Sequence, residues 1–247
     1  KYSNGKKGWL EIVKNVVDVI NELLEINDSY QAPSRLWEIL YDRPRREALF
    51  LRFLDAFNYD VSYDWFHEYF QEEHADRKKK KQDFTPNELS DLLSMLVGAG
   101  EGVSYDVAAG TGGITIRKWH ADRLKTSPFF YRPSDYFYVC EELSDRAVPF
   151  LLFNLLIRGM NAVVLHGDTL TRTKVKGVFF VQNDTDDHMR FSSLNLMPYS
   201  EAVAREFMIT SWACESDRHK PIKETKEFPT YLINRIAKEV KEANIHI

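Results

Sequence analysis

The chain has 247 residues, 44% of them hydrophobic, with a formal net charge of −4 and only two cysteines, Cys140 and Cys214. That balance excludes a global basic field for nucleic acid, a disulfide framework and a cysteine-based zinc cluster, and it suits a reducing cytoplasm. No apolar run is long enough to span a bilayer, and the length predicts one large α/β domain, alone or with a smaller appendage.

The chain opens with a helical pattern that fills residues 8–80. Trp9, Ile12, Val16, Ile20, Leu23 and Ile26 recur at spacings of three and four, which is one face of a helix. Ser34 is placed to cap a second helix carrying Leu36, Trp37 and Leu40. Pro44 is placed to open a third, with Leu49, Phe50, Phe53, Leu54 and Phe57 inward. Trp65, Phe66, Tyr69 and Phe70 mark a fourth. Such stripes predict a bundle packed on the next domain. The basic run at 77–81 reads as a linker, so the expected division is a helical region at 1–80 and a second unit at 81–247.

The second unit begins with Phe84-Thr85-Pro86-Asn87-Glu88. Thr85 and Glu88 form a capping box with Pro86 at the first helical position. Leu89, Leu92, Leu93, Leu96 and Val97 continue that helix. Its N-terminus offers free N–H groups beside the Thr85 hydroxyl, a cradle for a carboxylate.

Next comes Ser104-Tyr105-Asp106-Val107-Ala108-Ala109-Gly110-Thr111-Gly112-Gly113, read as a strand, a glycine loop and a helix from near Ile114. The glycines admit positive φ and close approach of a ligand. The pattern is neither G-x-G-x-x-G nor a P-loop. A second strand at 136–140 ends in Glu141-Glu142, where an acid can grip both hydroxyls of a ribose. Ser144 starts a helix with Val148, Leu151, Leu152, Leu155 and Leu156. A third strand at 162–165 leads into His166-Gly167-Asp168-Thr169-Leu170, and Asp168 can accept from an exocyclic amine. Three successive strands ending in acids predict βαβαβ topology with a polar rim along the carboxyl edge.

A fourth strand is expected at 177–181, followed by Gln182-Asn183-Asp184-Thr185-Asp186-Asp187. Those acids suit a solvated loop or, as an alternative, a divalent ion. A fifth strand is expected at 207–212. Leu232, Ile236 and Val240 predict a terminal amphipathic helix.

In their order, Phe84-Thr85-Pro86, Asp106 to Gly113, Glu142-Leu143 and Gly167-Asp168-Thr169-Leu170 resemble the motifs of N6-adenine DNA methyltransferases. The nearest likeness is to the modification subunits of type I restriction–modification systems, over residues 83–170. The resemblance implies a Rossmann-like S-adenosylmethionine-dependent methyltransferase sheet preceded by a helical region. It implies S-adenosylmethionine as cofactor, with Phe84, Thr85 and Pro86 at its methionine end. Asp106, Ala108, Gly110, Thr111 and Gly112 would hold its amino-acid part and backbone, Glu142 the ribose, and Asp168 with Leu170 the adenine. It implies DNA as a partner through a separate specificity subunit, with a further protein partner or a homo-oligomer also open, and no resident metal. Val107 and Ala109 stand where Pro and Cys are usual. The larger departure follows the expected fourth strand. The family's Asn/Asp-Pro-Pro-Tyr/Phe is reduced to Asn183, the one candidate catalytic residue, without either proline or the aromatic that stacks on a flipped base. Asn195-Leu196-Met197-Pro198-Tyr199 carries one proline and an aromatic at the wrong spacing. Three readings follow: an adenine-N6 methyltransferase, a cofactor-binding homologue that has lost transfer and acts as a regulator or decoy, and a purely structural α/β domain.

Overall fold

The computed structural model describes residues 16–67, 69–70, 102–125 and 130–226, and the structural statements below concern these. Phe84-Thr85-Pro86, the helix expected after it, the basic run and the expected terminal helix lie outside them.

The N-terminal region is helical, as its spacing predicts. Helix α1 (16–24) buries Ile20 and Leu24 and ends where Glu25 takes φ +58°. Helix α2 (Ala32–Leu40) begins earlier than the expected Ser34 cap, with Pro33 in its first turn. Helix α3 (Arg43–Ala56) is capped by Asp42, whose carboxylate accepts from the Arg45 N–H. Pro44 sits in its first turn, where a missing N–H costs no helical bond. Leu49, Phe50 and Phe53 face inward. The rings of Phe50, Phe53, Phe66, Phe150 and Phe153 interlock at centroid distances of 4.8 to 5.6 Å, mostly edge-to-face or tilted, as aromatic quadrupoles favour. Phe150 and Phe153 belong to α5 (Val148–Ile157) beneath the sheet, so helical region and sheet share one core. Arg46 of α3 is fully buried, yet its terminal nitrogens meet the two oxygens of Glu224 at 2.9 and 2.6 Å. That bidentate pair offsets the desolvation of the guanidinium.

Among the described residues five strands form one mixed sheet, ordered β1-β2-β3-β4-β5. These are β1 (Gly102–Asp106), β2 (Tyr136–Glu142), β3 (Ala162–His166), β4 (Gly177–Gln182) and β5 (Ser193–Leu196). The first three are parallel, with Asp106 beside Cys140 and Glu142 beside His166. The crossovers contain α4 (Gly113–Lys125) and α5, which is the βαβαβ arrangement read from the sequence. One sheet face, with Val164, Phe179 and Val181, packs on α2, α3 and α5. The other, with Val163, Leu165, Val178 and Phe180, packs on the region of α6 (Glu201–Glu206).

One expectation fails here. Residues 207–212 form no strand; they turn at 207–208, and Trp212 makes only an isolated bridge to Val175. The fifth strand is instead Ser193–Leu196, which overlaps the start of the stretch Asn195–Tyr199 that carries the stray proline and tyrosine. More consequentially, β4 runs antiparallel to β3, with His166 opposite Gly177 and Ala162 opposite Val181. The link at 167–176 contains no helix. A parallel return needs a crossover of a dozen or more residues, so this shorter link reverses the chain. β4 therefore ends at the edge where β1, β2 and β3 begin.

Candidate functional site

The carboxyl edge of β1–β3 gathers most of the residues singled out in the sequence. The loop after β1 turns through Gly110 (φ +56°) and Gly112 (φ +101°), conformations that L side chains resist. A Cβ on Gly112 would also stand 3.0 Å from Leu151 Cδ1 of α5, so this glycine serves close packing of loop on helix. Asp106 ends β1 and accepts from the Thr115 hydroxyl at 2.9 Å. Burial raises its pKa, and the bonds from Thr115 and the Ala108 N–H oppose that shift. Ala108 is exposed on the rim.

Glu142 ends β2 and is nine-tenths buried. Its Oε2 accepts from the Gly110 N–H and its Oε1 from the Ser144 N–H, each at 2.7 Å. The acid thus clasps the glycine loop, and each oxygen keeps a second lone pair. Asp168, beyond β3, accepts from the Leu170 N–H at 2.9 Å and the Thr171 hydroxyl at 2.8 Å. Those bonds, the Thr171 hydroxyl first, hold its carboxyl below the usual range. The Thr169 hydroxyl donates to the Val107 carbonyl at 3.0 Å. Since β2 lies between β1 and β3, that bond joins the two outer loops across the end of β2. Val107, Leu143 and Leu170 are exposed at the three strand ends, Leu170 at 93%.

Thr111 departs from the expected role. Its side chain is 1% exposed and points into the core, where its hydroxyl donates to the Asp64 carboxylate. Asn154 Nδ2 donates to Asp64 Oδ1 and to the Thr111 carbonyl, both at 2.8 Å. Arg158 donates to Asn154 Oδ1 at 2.8 Å and to the carbonyls of Val61 and Tyr63 at 2.9 and 2.6 Å. Burial raises the Asp64 pKa, against the bonds from Thr111, Phe66 and Asn154 and the Arg158 charge. Burial likewise pulls the Arg158 guanidinium down to about 10. No motif in the sequence marks this network. A signal did exist, because Asn154 and Arg158 stand one turn apart in an otherwise apolar run, and polar groups so placed must be buried and partnered.

Asn183 is not brought to this edge. It follows β4, whose direction puts it at the opposite end of the sheet, beside Asn161 ahead of β3. It is fully buried. Its Nδ2 donates to the carbonyls of Gly159 and Asp187 at 3.0 and 2.9 Å, and its Oδ1 accepts from the N–H groups of Thr185 and Asp187. It braces a loop and does not face Asp106 or Asp168. The neighbouring acids are dispersed in the same way: Asp184 accepts from Ser193 and Thr225, and Asp186 from Ser134. Among the described residues no group of His, Cys, Asp or Glu is arranged for a metal ion. Tyr199 follows β5 at the carboxyl edge, but its hydroxyl donates to the Lys176 carbonyl at 2.7 Å, two strands beyond β3.

A parallel βαβαβ unit with acids at consecutive strand ends, a glycine loop and an apolar rim defines a Rossmann-like nucleoside-binding sheet of the methyltransferase class. A family model described as N-6 DNA methylase matches residues 60–212, and the chain belongs to that family. A comparison with curated proteins found no match. The match supports DNA adenine methylation as the general activity of the domain. The edge also fits S-adenosylmethionine chemically. The cofactor offers ribose hydroxyls, an adenine amine and an ammonium, all donors, and the edge presents carboxylates with lone pairs left. Val107, Leu143 and Leu170 offer apolar surface for a ring. No described helix is long and apolar enough to cross a membrane.

Proposed function

We propose that this chain binds S-adenosylmethionine across the carboxyl ends of β1, β2 and β3, and that it does not complete a methyl-transfer site through residues 182–187. When bound, the cofactor supplies an electrophilic methyl group. Glu142 accepts from the ribose hydroxyls and Asp168 from the adenine amine, beside Leu170. Asp106, Ala108, Gly110 and Gly112 hold the amino-acid part, and Phe84, Thr85 and Pro86 close on the methionine end. Residues 1–80 act as helical support for the methyltransferase-like unit from 81 onward, in the cytoplasm. The single observation that carries this reading is direction: β4 is antiparallel, so Asn183 leaves the sheet at the edge opposite the three acids. The chain then acts as a cofactor-binding regulator or decoy among its relatives.

Motif order favours a second reading. In it the chain is a DNA adenine-N6 methyltransferase of the type I modification-subunit kind. It would work with a specificity subunit and take its amine acceptor from outside the described residues.

Calorimetric titration of the full chain with S-adenosylmethionine and S-adenosylhomocysteine, beside a radiolabelled methyl assay on DNA, separates the two. The first reading expects binding without transfer. Transfer by the chain, alone or with a type I specificity subunit added to the assay, would select the second, and absence of binding to either compound would overturn both.

A further inference from the structure

We propose that Asp64 is a positioning residue for the cofactor, acting through Thr111 from beneath the glycine loop to hold that loop in its ligand-binding form. The proposal rests on the cofactor reading of the crevice and adds a residue from the helical side of the molecule, 47 positions before Thr111.

The loop needs holding. Gly110 and Gly112 both sit at positive φ on either side of Thr111, and such glycines lose more backbone entropy on ordering than any other residue. Two carboxylates restrain it from opposite sides. On the crevice side Glu142 accepts from the Gly110 N–H. On the core side Asp64 accepts from the Thr111 hydroxyl. Without the second hold, Thr111 would be a buried hydroxyl with no acceptor between two permissive residues, and the Gly110 amide would not stay in register with Glu142.

The surroundings of Asp64 are built for a carboxylate. Its Oδ1 accepts from the Phe66 N–H at 3.0 Å and from Asn154 at 2.8 Å, and its Oδ2 accepts from Thr111. All three groups are donors. The Asn154 amide has only one workable orientation, because its oxygen receives Arg158 and its nitrogen serves Asp64 and the Thr111 carbonyl. One amide therefore links a buried cation to a buried anion. Arg158 also grips the Val61 and Tyr63 carbonyls, which fixes the turn that carries Asp64. In Asp64→Asn the side chain fills the same volume, but its N–H₂ either meets the Asn154 donor or, turned to Thr111, reverses that bond and removes its charge assistance.

The test uses the full chain, with calorimetric titration of S-adenosylhomocysteine and amide hydrogen exchange over residues 107–116. Asp64→Asn and Thr111→Val are each expected to weaken binding roughly tenfold, the size of one charge-assisted hydrogen bond. The double variant should be no weaker than either single one, because the two side chains act as a unit. Thr111→Ser keeps the hydroxyl and should bind within about twofold of the parent. Ile39→Val, a core change remote from the loop, serves as the stability control and should leave affinity unmoved. Exchange at Gly110–Gly113 should quicken in Asp64→Asn with no ligand present. Parent-like affinity in both single variants, or losses that add independently, would overturn the proposal. If the parent binds nothing, the cofactor reading fails, and the exchange data alone decide whether Asp64 holds the loop. Unchanged exchange in Asp64→Asn would then refute the proposal by itself.

Discussion

The two edges of the sheet are built from similar residues and do different things. At the carboxyl edge of β1–β3, Glu142 and Asp168 accept local donors yet keep lone pairs facing an apolar rim that is open to solvent. At the opposite edge, Asn183 is equally polar and equally central to its loop, but it is sealed, with both ends of its amide used inside the fold. Glu142 and Asp168 have acceptor capacity left over, and the Asn183 amide has none. Polar residues after a strand are therefore no sign of a site until the strand's direction and the remaining hydrogen-bond capacity are both known.

The contrast can be broken most directly at Glu142. Glu142→Gln keeps the shape but loses the charge and half the acceptor capacity. Cofactor affinity should fall about 30- to 100-fold, or about 2–3 kcal/mol by calorimetry. A parent-like affinity would mean that the carboxyl edge is no more a binding site than its opposite. Asn183→Ala should do the reverse. It leaves the Gly159 and Asp187 carbonyls and two loop amides without partners, so urea unfolding should show a loss of about 2 kcal/mol. Its effect on cofactor binding should be nil, and any large effect there would return Asn183 to the site.

The third measurement sharpens the comparison within the carboxyl edge, beyond the crevice. His219 packs tilted against Trp37 with ring centroids 4.6 Å apart, and its Nε2 lies 2.7 Å from His166 Nδ1. Asp145 and Lys176 complete its charged surroundings, with Phe179 against the ring. Burial, then the His166 charge and Lys176, pull its pKa down to about 3, with Asp145 opposing. A depressed histidine is neutral in the fold and protonates first in the unfolded chain. Its contribution is thus complete above the unfolded value near 6.5 and is lost as pH falls toward 3. Between pH 7 and pH 5 the loss should be about 2 kcal/mol, and His219→Phe, which keeps the ring packing, should flatten it. Asp64 and Asp106 have raised pKa values. Their contributions run the other way, present below about pH 4 and lost as pH rises, so the difference between parent and variant isolates the histidine. Identical pH profiles would show that His219 carries no such linkage.

What could be read from the sequence was local. The glycine loop, the three strands with acids at their ends and the inward faces of α1, α2 and α3 all depend on neighbours within a few residues, and the structure forms them where the spacing placed them. The direction of β4 could not be read. A run such as Gly177-Val178-Phe179-Phe180-Val181 has the same pattern in a parallel or an antiparallel pair; only the length and helix content of the link before it decide. Residues 207–212 have strand composition, but the outer side of β5 is met by residues 222–223 instead. The inward turn of Thr111 was hidden for another reason. Its partner Asp64 lies in a different part of the chain with no motif around it, and a threonine in a glycine loop looks the same whether it faces a ligand or the core.

The Arg46–Glu224 pair sets an order on events. The two residues are 178 positions apart, and Glu224 also accepts from the Leu194 N–H and approaches Arg43. During synthesis the first three helices emerge long before Glu224 does. Until then the Arg46 guanidinium cannot enter the core without leaving an unpaired charge in an apolar setting, which is prohibitive. The helical region must therefore wait on the ribosome in an incompletely closed state, its Arg46 still hydrated. Its final packing follows the emergence of Glu224, and a nascent chain stopped before residue 224 should stay open to protease where the folded protein is closed.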